Sequence, residues 1–406
     1  MHTDADRLAA SRSLFIRLPL ILAISALALT GCGDRAELPE RAFVMGAALD
    51  ESKNGKVLVT LQVYKPSQTI QAKGKSVNPY INIKAMDDTV AEAIHDITTH
   101  LGRKAQFSHM RVLLISERLV RKIKLASLLD FFYRDREPRM TSITIVTRGA
   151  ASPYFDTKPF IESTSSQQYF LSERFASRFA GKSFESSLLK LAISLRSQTR
   201  SAGLPYMSLS PEEAGREPKV SGVAVIQDGL MKDRLTGTEN EGLLMLMNKY
   251  KGGVIEVPCA EIKAGRPPQA HEAVEVLNLK ADRSVGITAE GVNVAYKVRA
   301  TVSAVELPCS NIDDIAGERE FEARVSDEIN REMKLALRHL QRDKTDLLDI
   351  GNDVYRARPG LWKKWKSDWP ERFASIKVRF DTDTLLLTQG RISGKPILEE
   401  KRNERR

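Results

Sequence analysis

The sequence predicts a mixed α/β protein, built of three α/β domains with antiparallel hairpins and packed helices, behind a lipoprotein signal peptide. Three observations carry this. The N-terminal half runs strand, strand, helix, strand, helix, strand, an order that favours layered sheet and helix. Near the C-terminus Val292, Val294, Tyr296, Val298, Ala300, Val302 and Ala304 alternate with mostly polar neighbours, and a long amphipathic helix follows. The stretch Leu29-Thr30-Gly31-Cys32 divides a short apolar leader from a long body.

The leader carries Arg7, Arg12 and Arg17 ahead of an apolar run from Leu18 to Leu29, the layout of a secretory signal peptide. The run is shorter than the roughly 20 residues that span a bilayer. Small Thr30 and Gly31 before Cys32 have the form of a lipobox, so Cys32 is expected to become a diacylglyceryl N-terminus once residues 1–31 are removed. Two acyl chains at about 0.8 kcal/mol per buried CH2 make such an anchor stable where one chain would be marginal.

Hydrophobic residues at 42% and charged residues at 28% describe a globular body with real cores. The formal charge of +10 suits anionic headgroups or wall polymer in an exported protein better than nucleic acid, which is not expected as a partner. With Cys32 acylated, Cys259 and Cys309 remain as an even pair in an oxidising compartment, where a disulfide forms if their Cα atoms come within reach.

Taken in order, Ala42 to Leu49 and Val57 to Tyr64 read as a hairpin around Asn54-Gly55, and residues 65–80 as a surface loop. Thr89 and Glu92 have capping-box spacing for a helix stopped by Gly102. A strand from Met110 to Ile115, a helix from about Arg118 to Arg134 and a strand from Ile143 to Thr147 follow. Between 159 and 206 the four-residue spacing of Leu171, Phe175 and Phe179 reads as a core-facing helix stripe, with a second at Phe184, Leu188, Leu191 and Leu195. The Pro- and Glu-rich segment 207–218 reads as a linker. Beyond it come a hairpin at Asp228-Gly229, a helix capped by Thr238 and Glu241, and the strand Val254 to Val257.

After a Gly/Pro-rich join at 263–271 stand the alternating strand, a helix from about Ile315 to Leu348, a core-packing set of Trp362, Trp365 and Trp369, and a closing strand at Ile376, Val378 and Phe380. The expected division is a signal peptide at 1–31, an N-terminal α/β domain at 32–210, a middle hairpin-helix-strand domain at 215–265, a C-terminal sheet-plus-helix domain at 270–395 and a charged tail at 396–406.

No reaction is legible. Gly181-Lys182-Ser183 lacks the upstream glycine and the preceding strand of a phosphate loop, the histidines show no HExxH spacing, and no G-x-S-x-G elbow occurs. No catalytic, cofactor or metal-ligating residue is assigned, and an enzyme is not expected.

The segments fall into a family pattern. Cys32-Gly33-Asp34-Arg35-Ala36-Glu37-Leu38, Phe107-Ser108-His109-Met110-Arg111-Val112-Leu113-Leu114-Ile115, Leu129-Asp130-Phe131-Phe132-Tyr133-Arg134-Asp135, Leu204-Pro205-Tyr206, Glu241-Gly242-Leu243-Leu244 and Trp362-Lys363-Lys364-Trp365-Lys366 occur in the order and spacing of the Ger(x)C family. The chain resembles that family, the lipoprotein C subunits of spore germinant receptors. Gly33 stands where the family has tryptophan. The resemblance implies a non-enzymatic subunit without cofactor, lipid-anchored at the outer face of the spore inner membrane, that acts with integral-membrane A and B subunits to trigger nutrient germination. Asp34, Arg35 and Glu37 beside the anchor, together with His109 and Arg111, are the candidate partner contacts. A solute-binding lipoprotein of a transporter is the alternative, and it requires two similar lobes around a ligand cleft.

Overall fold

A computed structural model of the chain describes residues 40–52, 54–65, 78–211, 217–259, 270–310, 312 and 314–388. The lipobox, Cys32, Asp34, Arg35, Glu37 and the expected tail at 396–406 lie outside these. The described residues build mixed sheets and helices, in keeping with the expected class.

Strands β1 (Arg41–Glu51) and β2 (Val57–Tyr64) form the first hairpin, and β3 (Tyr80–Asp87) pairs antiparallel with β2. Helix α1 (Val90–Leu101) starts where Thr89 Oγ1 accepts from the Glu92 N–H at 3.1 Å and stops at left-handed Gly102. Next come β4 (Lys104–Gln106), β5 (Val112–Ser116), α2 (Glu117–Lys122), α3 (Leu125–Arg134) and β6 (Ile143–Thr147). The helix expected as one from Arg118 to Arg134 is therefore two. The chain turns extended at Ile123 and Lys124, where the Leu125 N–H bonds to Gly229 O at 2.8 Å, and this bend buries both Leu119-Val120 and Leu125-Leu128.

Helices α4 (Ser152–Phe155), α5 (Ser165–Phe179) and α6 (Leu188–Leu195) precede β7 (Ser201–Leu209), β8 (Pro218–Gln227) and β9 (Leu230–Leu235). The first sheet has the order β3-β2-β1-β5-β6-β7-β8-β9, with β4 beside β1. Its centre, β1-β5-β6-β7, is parallel, and an antiparallel hairpin extends it on either side. Every residue of β5 and of β6 is buried, because helices cover both faces: α1 and α3 over one, α4 and α5 over the other.

Helix α7 (Gly237–Leu246) begins at Thr236, two residues before the expected cap, where Thr236 and Glu239 form a reciprocal capping box. Strands β10 (Gly253–Pro258), β11 (His271–Ile287), β12 (Val292–Glu306) and β13 (Lys377–Thr388) make the second sheet in that order. Parallel β12 and β13 are joined by α8 (Ile315–Arg342), α9 (Ile350–Ala357), α10 (Pro359–Trp365) and α11 (Trp369–Ser375). Phe321, Val325, Ile329, Met333, Leu337 and Leu340 of α8 are buried against this sheet, as their spacing predicts.

Of the segment 215–265, expected as a domain of its own, the described residues 217–259 are divided between the two sheets. Its hairpin continues the first through the β7–β8 pairing, its strand β10 edges the second, and α7 packs between them with Asn240 to Leu246 all buried. Of the expected linker 207–218, Met207 to Leu209 belong to β7 and Pro218 to β8, the Ser210 N–H bonds to Glu217 O at 2.8 Å, and residues 212–216 lie outside the described residues. The three tryptophans are core, and Trp362 also ties the second unit to the first. Trp362 Nε1 donates to Gln198 Oε1 at 2.9 Å, and Trp369 Nε1 donates to buried Asp346 at 3.0 Å.

Candidate functional site: an outward apolar helix face and a polar junction

His109 and Arg111 flank the start of β5 but serve different neighbours. His109 is exposed, and its ring meets Phe43 edge to face at 5.4 Å. The Arg111 guanidinium lies 5.5 Å from the centre of the Phe170 ring, and Arg174 lies 5.4 Å from the same ring, so two arginines flank one aromatic side chain of α5. Arg111 thus helps dock α5 on the sheet. Cys259 and Cys309 form a disulfide with Cα atoms 5.8 Å apart, at the ends of β10 and β12.

Helix α5 is turned opposite to its expected orientation. Phe175 and Phe179 are 60% and 66% exposed and stack on each other at 5.3 Å. The buried face instead carries Ser165, Ser166, Tyr169, Glu173 and Ser177. The sheet dictates this. Buried Gln62 of β2 accepts from the Ser166 N–H at 2.9 Å and from Ser166 Oγ at 2.7 Å, and a Cβ added at Gly46 of β1 would stand 2.3 Å from Ser166 Oγ. A small polar helix face is what fits there. Phe160 and Ile161, in the segment leading to α5, are exposed as well, at 62% and 90%. The stacked Phe175–Phe179 pair is an outward apolar surface of the kind that interaction sites use.

The second feature is the polar junction between the two sheets. Glu241 of α7 and Glu332 of α8 are buried, and Lys182 Nζ lies 2.7 Å from Glu241 Oε1. Glu332 Oε2 and Tyr250 OH are buried without a hydrogen-bond partner among the described residues. Burial, reinforced by the neighbouring Glu241 and Glu328, pushes the Glu332 carboxyl up to about 8, and burial pushes Glu241 up to about 6 against the pull of Lys182.

The folded protein therefore holds a proton at Glu332 that the unfolded chain releases above about 4.5. That contribution to stability is complete below pH 4.5 and is lost as pH rises through 8. Glu332→Gln, which keeps the shape and removes the ionisation, is expected to reduce the loss of stability between pH 5 and 8 by a few kcal/mol, order of magnitude, in denaturant titrations. An unchanged pH slope would contradict the assignment.

Beside this pair, His339 of α8 is nearly enclosed by carboxylates. Its Nδ1 is 2.8 Å from Glu239 Oε1, and its Nε2 is 3.0 Å from Asp233 Oδ2 and 3.3 Å from Asp343 Oδ2. Arg342 Nη2 donates to Asp233 at 2.9 Å. Burial opposes ionisation of Glu239, but the Thr236 backbone N–H and the His339 ring outweigh it and hold the carboxyl below its usual range. No helix among the described residues is long and apolar enough to cross a membrane.

Two family models cover this architecture in order. Residues 34–209 match the spore germination protein N-terminal domain, and residues 221–390 match the spore germination B3/GerAC-like C-terminal domain. The chain belongs to the GerAC-like spore germination protein family. The first family region ends with β7 at residue 209 and the second begins within β8 at residue 221, so most of the hairpin that completes the first sheet belongs to the second GerAC-like region.

Among the relatives of this GerAC-like chain are spore germination protein KC of Bacillus subtilis (strain 168), 22% identical over 88% of this chain and 91% of that protein, and spore germination protein B3 of the same organism, 23% identical over 90% and 96%. The crystal structure of the GerBC protein aligns with a TM-score of 0.55 and 18% identity, covering 87% of this chain and all of that one, which shows a shared fold.

The outward face of α5 could not be assigned from apolar spacing alone. Its signals were Gln62 in the middle of an apolar strand and the serines at 165, 166 and 177, which mark the side of the helix that meets it.

Proposed function

We propose that this protein is the non-enzymatic, lipid-anchored C subunit of a nutrient germinant receptor, held at the outer face of the spore inner membrane by a diacylglyceryl Cys32. There it works with integral-membrane A and B subunits to trigger germination. The observation that carries this reading is the match of both spore germination regions, in order, from residue 34 to residue 390. The outward apolar face of α5 supports a docking role, and its partner under this reading is a receptor membrane subunit. The solute-binding alternative is disfavoured by two unlike units, a nine-stranded mixed sheet and a four-stranded one, in place of two similar lobes.

The test uses two variants in the spore-forming host. Cys32→Ala is expected to release the protein from the membrane fraction and slow nutrient-triggered loss of spore refractility; full membrane retention would count against the anchor. The double variant Phe175→Ser/Phe179→Ser alters exposed side chains, so its stability should stay within about 0.5 kcal/mol of the parent. It should remain in the membrane fraction yet germinate poorly, and normal germination would remove α5 as a docking face.

A further inference from the structure

We propose that Asp233, His339 and Asp343 form a binding site for one divalent transition-metal ion of the zinc class, bridging β9 of the first sheet and α8 of the second unit. One ligand atom from each of the three lies within 4.8 Å of the other two. The His339 Nε2 distances, 3.0 Å to Asp233 Oδ2 and 3.3 Å to Asp343 Oδ2, match the spacing between adjacent donors around an ion that binds N and O atoms at about 2.0–2.1 Å, which is roughly 2.9 Å for octahedral and 3.3 Å for tetrahedral coordination. One imidazole with two carboxylates is a donor set suited to this class of ion.

Two further features fit the site to a cation. Glu239 uses one oxygen in the capping box, accepting from the Thr236 N–H at 2.7 Å, and the other accepts from His339 Nδ1 at 2.8 Å. That bond fixes the ring orientation and points Nε2 at the two aspartates, the outer-shell carboxylate arrangement that orients metal-binding histidines. Three candidate ligand atoms then converge, and a cationic group already stands beside them. Arg342 Nη2 is 2.8 Å from His339 Nε2, 2.9 Å from Asp233 Oδ2 and 3.3 Å from Asp343 Oδ2. The Arg342 side chain is 62% exposed, with its Nε also donating to Asp343 Oδ1 at 2.8 Å, whereas the His339 side chain is 10% exposed. Arg342 is thus an internal stand-in that competes with the ion.

The experiment titrates the full chain, purified in detergent, with Zn2+ against a competing chelator, and with Co2+ read by visible absorption. One ion per chain is expected, with Co2+ d–d bands and no thiolate charge-transfer band, which separates this site from any cysteine. His339→Ala should lose the site. Glu239→Gln should weaken it by about 10–100-fold. Arg342→Ala should bind more tightly than the parent, because its competitor is gone.

A fixed ion-pair knot behaves differently: neither the parent nor Arg342→Ala takes up metal saturably, or uptake is indifferent to His339→Ala, and either result overturns the proposal. If His339→Ala does not fold, the opposite directions expected for Glu239→Gln and Arg342→Ala decide it.

Discussion

Gly242→Ala is expected to destabilise this protein by about 3 kcal/mol, although alanine in place of glycine inside a helix normally gains about 1 kcal/mol. A Cβ at Gly242 would stand 2.1 Å from the Glu332 carbonyl oxygen and 2.5 Å from its carbon, so α7 cannot stay where it is against α8. The obstacle is helix backbone, which has no alternative rotamer. Because α7 is buried between the two sheets, moving it opens the shared core on both sides. At roughly 2–4 °C per kcal/mol for a unit of 150–250 residues, the melting temperature should fall by about 6–12 °C. Gly360→Ala is the control: its Cβ would meet nothing within 4 Å, so stability there should be unchanged or slightly raised. Equal melting temperatures for the two variants would contradict the close approach of α7 and α8.

Removing the Cys259–Cys309 disulfide should have an effect of similar size by a different route. The bridge closes a loop with a sequence separation of 50, and loop-closure entropy for that length stabilises by about 4 kcal/mol through the unfolded chain. It also sits beside a buried charge clamp. Glu272 is fully buried and accepts from the Cys309 N–H at 3.2 Å, the Ser310 N–H at 2.6 Å and Arg324 Nη2 at 2.8 Å. Loss of the bridge frees the segment that delivers two of those donors. Cys259→Ser/Cys309→Ser should therefore shift the denaturation midpoint downward, and the parent under reductant should follow it. If the parent and the double variant have the same midpoint in oxidising buffer, the bridge does not stabilise the second sheet.

The readable parts of the fold are those in which one physical signal dominates. All five residues of Ile143–Thr147 are β-branched, which favours a strand, and Asp228-Gly229, both at positive φ, make a tight hairpin turn. Strand β11 shows no continuous alternation, because its pairing with β12 shifts register between Val276 and Asn278. Burial follows Val274 and Val276, then resumes at Leu279 and Ala281, which breaks the period of two in mid-strand.

Helix α5 was legible as a helix but not in its facing. Periodicity places Leu171, Phe175 and Phe179 on one side, and only the polar sheet beneath, with Gln62 and the close Gly46, decides which side is inward. The junction residues were scattered in sequence, with Asp233, Glu239 and His339 on three elements, and nothing local announces that they meet. Of the candidate partner contacts, Arg111 acquires a packing role through Phe170, while Asp34, Arg35 and Glu37 lie outside the described residues.

Affinity isolation of the tagged full chain from detergent-solubilised spore inner membranes tests the receptor-subunit reading most directly. Two multispanning membrane proteins of the same germinant receptor should co-purify with it in constant proportion, and both should be lost with Phe175→Ser/Phe179→Ser. Recovery of the chain without them, or with the ATP-hydrolysing subunit of a transporter, would contradict the account.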